Sequence, residues 1–449
     1  MTKELTKGSP FRLIFSFMLP VLIGNIFQQL YNMADTLIVG HTVSSDAMAG
    51  VGSTGSITFL IIGFATGLTS GFAVRTSQRF GARDEAGVRK SVAVSLELCI
   101  LLTAFLMSLA MPLAGPLLRL MQTPEKYFSY AYWYLFVCFG GIGATILYNI
   151  SAATLRSIGD TKTPLVILVV SAVLNVGLDL LFIVVFKMKY TGAAAATVIS
   201  QFVAGVGGLI YMLKAYPILR PHRSDWKSFR LWGGHIALGL PMALQFSITA
   251  IGSIMLQSAN NALGTACVAA FTSAMRIKMF FLCPLESLGM AMATFSGQNY
   301  GAGKPERIWS GIKASTLMMV VYTAVTFLIL MVGAKSFALI FVDPSEVEIL
   351  EKTELFLHIS VSFFPMLGLL CILRYTIQGV GYTNLAMFSG VSEMIARILV
   401  SICAVPAFGF IAVCFGDPMA WVAADLFLIP AFIYVYRRLK RQVLTSAVS

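Results

Sequence analysis

Nine ionisable residues lie inside long apolar runs: Asp35, Glu97, Asp179, Arg276, Lys278, Glu286, Glu393, Arg397 and Asp425. A charge at the centre of a bilayer costs about 2.5–3.5 kcal/mol even on insertion-based scales, so such residues are candidates for function. Their spacing sorts them. Glu393 and Arg397 are four apart and can pair on one helix face, as structure or as function. Asp35 and Asp179 have no basic residue within a helical turn, and Asp179 shares a face with Asn175 at spacing four. Two oxygen-bearing groups on one face suit a small cation or a proton. Interhelical hydrogen bonding accounts for many intramembrane Asn residues but rarely needs a carboxylate. Both aspartates therefore read as functional. Glu97 and Asp425 lie nearer the ends of their runs and read as contacts to a loop or as snorkelling side chains. Arg276, Lys278 and Glu286 share one run; they either face a cavity or form a structural network.

Such positions need helices that cross lipid, and the composition supplies them. The 449 residues are 57% hydrophobic and 12% charged, with a mean hydropathy of +0.83. That is about half the charge of soluble domains. A soluble enzyme, a disordered chain and a disulfide scaffold are excluded. The seven Cys all sit in apolar stretches with no close pair, against zinc or disulfides. The four His (His41, His222, His235, His358) are scattered, against an integral-membrane enzyme. No phosphate-binding glycine loop occurs, and the acidic stretch 343–354 reads as a solvated outer loop, not a metal site.

Apolar runs of membrane length fall at 11–39, 47–74, 91–113, 129–151, 164–186, 192–213, 231–260, 266–297, 310–334, 351–375, 385–407 and 418–436. The prediction is an all-α integral membrane protein of twelve transmembrane helices. The first run is too long for a cleavable signal peptide and reads as a full span. Twelve spans put both termini on one side. Of the 32 Lys and Arg, 22 fall in connections on that side and six on the other. The positive-inside rule then places both termini in the cytoplasm of the inner (plasma) membrane. The net charge of +12 faces anionic lipid heads and not nucleic acid.

The two halves resemble one another. Pro20 matches Pro241; Gln78-Arg79-Phe80-Gly81-Ala82 matches Gln298-Asn299-Tyr300-Gly301-Ala302; Ile158-Gly159-Asp160-Thr161 matches Val380-Gly381-Tyr382-Thr383. Two pseudo-symmetric six-helix lobes are expected, 1–214 and 231–449, joined by a cytoplasmic linker at 215–230. Parallel repeats with a central cavity are the plan of carriers that rock between two states.

At this level of detail the residues resemble a family. Pro20, Tyr31-x-x-x-Asp35, Gln-x-x-Gly-Ala after spans 2 and 8, Arg156-x-x-Gly159-Asp160-Thr161 and Asn175-x-x-x-Asp179 together resemble the multidrug and toxic compound extrusion (MATE) transporters, in their bacterial multidrug-efflux and DNA-damage-inducible branch. The resemblance covers nearly the whole chain. It implies export of small amphipathic, often cationic compounds, driven by inward H⁺ or Na⁺, with no other cofactor. It implies a coupling site at Asp35, Asn175, Asp179 and Thr197 with Tyr31, where Asp35 and Asp179 would hold Na⁺ if that is the ion. Helix bending is implied at Pro20. Gln28, Glu286, Arg276 and Lys278 are the expected cavity residues. The sodium-coupled branch carries a Glu in helix 7, where this chain has Thr249. Neutralising the aspartate cluster would let helix 1 repack and couple ion entry to drug exit. The 22 Met and 33 Phe offer a pliable lining, although most must face lipid or pack helices. The chain is expected to work as a monomer and not as an enzyme. The alternative is a related flippase for lipid-linked oligosaccharide, whose cavity would need more Arg and Lys than Arg276 and Lys278 supply.

Overall fold

The computed structural model describes residues 4–42, 54–120 and 123–448, except the side chains of 32, 34–42, 56, 120, 189, 190 and 443–448. Among them are fifteen α-helices and no strand. The first half holds α1 Pro10–Thr42, α2 Gly55–Gly81, α3 Glu85–Leu120, α4 Glu125–Gly140, α5 Ile142–Ser157, α6 Lys162–Asp179 and α7 Lys189–Ala215. The second holds α8 Phe229–Asn261, α9 Thr265–Gly301, α10 Pro305–Ala338, α11 Val347–Ser362, α12 Phe364–Val380, α13 Thr383–Leu399, α14 Val405–Phe408 and α15 Phe410–Val448. Among the described residues ten helices are long and apolar enough to cross a membrane; the bent pairs α4–α5 (47°) and α11–α12 (49°) bring the number to twelve if each counts once.

Local chemistry sets the breaks. Between α2 and α3, Arg83 takes the left-handed conformation at φ 58°, and Asp84 Oδ1 accepts the Gly87 amide at 2.8 Å, capping α3. The equivalent turn before α10 places Gly303 at φ 67° and Pro305 at the first helical position. Asp160, in the Gly-Asp-Thr motif, caps α6: its carboxylate accepts from Thr163 N (3.1 Å), Thr163 Oγ1 (2.6 Å) and Tyr216 Oη (2.7 Å). Burial, and then this bond to Asp160, hold the Tyr216 phenol above its usual range.

The repeat is visible in irregularities. The bends fall at Gly141 and Phe363, 222 residues apart. Single π-helical turns follow α6 at Leu180–Val185 and α13 at Val400–Ala404. Such turns widen the ladder by one residue and are frequent at functional sites.

Two compact units emerge, one centred on Ile23–Ala243 and one formed by Leu5–Leu22 with Leu244–Ser449. This partition differs from a cut at the 215–230 linker. It passes through α1 just after Pro20 and through α8 just after Pro241, so each of these helices contributes one half to each unit. In the first unit, Leu68, Phe72, Leu98, Leu102, Ile142 and Ile146 pack with Ala243. In the second, Ile14 and Phe17 from the start of α1 pack among Phe295, Phe364, Ile372 and Trp421. Outward-facing apolar residues such as Ile100 (68% exposed), Val332 (89%) and Leu426 (71%) would be untenable in water in such numbers and suit lipid.

Candidate functional site

The sequence singled out α6 for an Asn and an Asp at spacing four, and the fold buries both, Asn175 at 1% and Asp179 at 0% exposure. Asp179 is the last residue of α6, at the start of the π turn. With its amide oriented so that Nδ2 faces the carboxylate, Asn175 donates to Asp179 Oδ2 at 2.8 Å. Its oxygen then accepts from the Thr197 backbone amide (3.0 Å) and from Tyr31 Oη (3.3 Å). The Tyr31 and Thr197 hydroxyls are 3.4 Å apart. Four of the five expected coupling residues, from α1, α6 and α7, are thus in one hydrogen-bonded group. The fifth, Asp35, belongs to α1, four residues beyond Tyr31, and its side chain lies outside the described residues.

A cavity of about 30 Å³ adjoins the group, lined by Gln28, Tyr31, Tyr148, Ser171, Ser200 and Gln201. Gln28 was expected in a cavity and is found in this one. Tyr148, Ser171, Ser200 and Gln201 were not anticipated. Ser171 donates to the Ser200 carbonyl at 3.0 Å and Thr145 donates to Gln201. Isolated Ser, Thr and Gln residues carry no spacing signal, so only the fold could reveal them. In chemical terms the group offers one carboxylate, an amide and two hydroxyls in a buried setting. Neutralising that carboxylate by H⁺ or Na⁺ would change which hydrogen bonds Tyr31, Asn175 and Thr197 can make.

The repeat puts a different device at the corresponding place. At shifts of 220–222 residues, Asn175 maps to Arg397 and Thr197 to Asp417. Arg397 Nε donates to Asp417 Oδ1 at 2.9 Å, and Arg397 Nη2 reaches Glu393 Oε2 at 3.4 Å. Asp417 also pairs with Lys278, Glu393 with Arg374, and Arg374 Nε donates to Ser389 Oγ at 2.9 Å. Lys278, Arg374, Glu393, Arg397 and Asp417, the charges of this network, are all buried. The expected Glu393–Arg397 pair exists as one link of a longer network.

Three expectations need correction. For Lys278 the structural-network alternative holds instead of a position facing the substrate: it is 1% exposed and committed to Asp417. Arg276 and Glu286 are exposed on α9, and no ion pair joins them among the described residues. Lys278 turns inward because a helix advances 100° per residue, so Arg276 two positions earlier points elsewhere. Asp425 does not snorkel; it is 3% exposed within α15. Glu97 does contact a loop, accepting from the Lys227 amide and, at 2.9 Å, from Trp232 Nε1. Pro20, where helix bending was expected, sits inside α1, two residues before the boundary between the units.

Comparison with known proteins decides the family. The MatE family model matches the chain twice, at residues 20–181 and 239–403, once in each half. The chain belongs to the MatE family. It is a multi-pass membrane transporter and not an enzyme. Among curated relatives of this MatE chain, the probable multidrug resistance protein YpnP of Bacillus subtilis (strain 168) is 28% identical over 380 residues, covering 84% of each chain. The probable multidrug resistance protein YoeA of the same strain is 25% identical, covering 98% of this chain and 96% of its own. A crystal structure of MATE in complex with MaL6 superposes with a TM-score of 0.90 at 23% identity, covering 98% of this chain and all of that one. That likeness bears on the fold alone.

Proposed function

We propose that this transporter exports small amphipathic compounds, many of them cationic, in exchange for H⁺ or Na⁺, by alternating access. The observation that carries the coupling step is the buried Tyr31–Asn175–Asp179–Thr197 group. Entry of the ion neutralises Asp179, together with Asp35 on α1. The hydrogen bonds that tie α1 to α6 and α7 then rearrange, and α1 repacks at Pro20, where the proline has already removed one helical hydrogen bond. A ligand shifts such an equilibrium only through its differential affinity for the two states. The names of YpnP and YoeA support drugs as the cargo, and exposed Glu286 supplies a negative group that attracts cations. One chain carries the whole machinery, in a cell membrane with both termini cytoplasmic. The flippase reading loses ground because Lys278, half of its small cationic set, is consumed by Asp417.

Efflux from vesicles under an imposed pH gradient and, separately, an imposed Na⁺ gradient tests the proposal. Asp179→Asn and Asp35→Asn should each fold, still bind drug, and lose gradient-driven efflux. The double variant should be little worse, since residues acting as one unit are not additive. Efflux near the wild-type rate by either single variant would leave that aspartate as interhelical glue.

A further inference from the structure

In the second unit one buried acid stands outside every bond. Asp425 is 3% exposed within α15, and neither of its carboxyl oxygens has a hydrogen-bond partner among the described residues. Its neighbours on that side of the helix, Trp421, Ala424 and Leu428, are buried and apolar. An ionised carboxylate with no donor costs far more in such a place than a neutral carboxyl does. The elements packed on α15 supply the charges around it. Arg374 on α12 and Glu393 on α13 act on Asp425, and the Cys371 thiol of α12 is a further titratable neighbour. α10 meets α15 later, where Glu306 lies 3.2 Å from Lys440. α11 meets it earlier, near the Phe363–Phe415 contact, and its Lys352 and His358 lie beside Glu348 and Glu354 of the same helix. The π turn after α13 adds the exposed Cys403 thiol.

The nearby network is one anion short. Its cations are Lys278, Arg374 and Arg397, and its anions are Glu393 and Asp417. An ionised Asp425 would bring the two signs level. Lys278 and Arg397 are both held by Asp417. Arg374 is the cation that acts on both Glu393 and Asp425, and here Glu393 and the Ser389 hydroxyl hold it. Helix packing does not demand these charges. At the shifts of 220–222 residues that relate the halves, Arg374 maps to Ala152, Glu393 to Ser171 and Asp425 to Gly205. The corresponding helices α5, α6 and α7 pack together without them. A carboxyl added at such a place, beside a guanidinium that already has a partner, needs another reason.

We propose that Asp425 is a proton-binding site of the second unit, with Arg374 as the group that takes the proton's place when it leaves. In the present structure the carboxyl keeps its proton, and Arg374 ties α12 to Glu393 on α13. When the Asp425 O–H bond breaks, the proton passes to water and the carboxylate accepts an N–H of Arg374. Such a charge-assisted bond is of the strong kind. Glu393 still has Arg397, one turn along its own helix. Proton occupancy thus decides whether α12 is tied to α13 or to α15. The site is separate from the Asn175–Asp179 group and stands whichever ion that group takes.

The test is infrared difference spectroscopy on the full chain in detergent, titrated from mildly acidic to alkaline pH. The wild type should show the carbonyl stretch of a protonated carboxyl at neutral pH, shifted in heavy water and lost as the pH rises. Asp425→Asn should lack that band yet melt like the wild type, since the amide copies the neutral acid. Asp425→Glu keeps a titrating group and should move the band, which assigns it even if the amide variant does not fold. Glu393→Gln removes a neighbouring negative charge and frees Arg374 for Asp425. In that variant the Asp425 band should titrate with about tenfold weaker proton affinity, a change that a merely structural carboxyl would not show. No band that responds to either Asp425 substitution, or a proton affinity unchanged in Glu393→Gln, would overturn the proposal.

Discussion

The Lys278 ammonium is enclosed by the Asp417 carboxylate and by the rings of Phe356 (5.1 Å) and Trp421 (5.9 Å). Asp417 is the shared anion, since Arg397 holds its other oxygen at 2.9 Å. Burying a pair is roughly neutral, but stranding one member is not: loss of a partner from a buried pair costs about 3–5 kcal/mol. Asp417→Asn leaves Lys278 without a counter-ion and Arg397 with Glu393 alone. Lys278→Met, by contrast, leaves Asp417 still paired with Arg397. Thermal unfolding in detergent should therefore rank Asp417→Asn as the more damaging, by about 3–5 kcal/mol from wild type, against about 1–2 kcal/mol for Lys278→Met. The opposite order would show that Asp417 is not the hub. Spacing could not have revealed this. Glu393 and Arg397 announce themselves at i and i+4, whereas the Lys278 partner lies 139 residues away on another helix, just before the last apolar run. Asn175 and Asp179 were legible for the same reason as Glu393 and Arg397, a single-helix interval. The residues that complete their site from α5 and α7 were not.

Helix ends and crossings depend on single small residues. Gly71 lies against Gly239 so closely that any Cβ would overlap the partner backbone. Gly71→Val must push α8 away from α2, and overpacking of this kind costs about 1–3 kcal/mol at a side chain and more at a backbone. Loss of folded protein, or a melting temperature lowered by several degrees, is the expected outcome in detergent; an unchanged melting curve would mean the helices part easily there. Hydropathy made the spans readable, because lipid demands a long uninterrupted apolar run whatever its neighbours. It also made their ends hard to place. α3 runs from Glu85 to Leu120, well beyond the expected 91–113, because a helix continues past the lipid until a breaker stops it. The π turns at Leu180–Val185 and Val400–Ala404 left no mark in the sequence, since Leu, Val, Ile and Phe serve α- and π-helix alike.

For the whole molecule, the charge distribution makes a prediction about orientation. With 22 basic residues on one side and six on the other, the loop bearing Ser345 should be external and that bearing Ser224 internal. Ser345 lies in an exposed turn, where its amide and hydroxyl donate to Asp343 at 2.9 and 2.6 Å. Those bonds hold the Asp343 carboxyl below its usual range, so this turn keeps its form throughout neutral pH. In a Cys403→Ser background, which removes the exposed native thiol, an impermeant maleimide applied to intact cells should label Ser345→Cys and not Ser224→Cys. The reverse pattern would invert the direction of transport.

The division of α1 after Leu22 and of α8 after Ala243 has a consequence for how the protein is made. A ribosome releases the chain in order, yet neither unit is finished in that order. The first unit keeps an open wall after its sixth span has been threaded into the membrane, and it closes only when residues up to Ala243 emerge. Until then Gly67 and Gly71 face a vacancy that the nascent linker cannot fill. The second unit meanwhile needs Leu5–Leu22, synthesised first and held in waiting for some two hundred residues. The start of α1 is thus an early-made part of a late-assembled body. Each half of the repeat, cut at the linker, would yield a fragment missing one strip of its own core, which ties the fate of each half to the presence of the other from biogenesis onward.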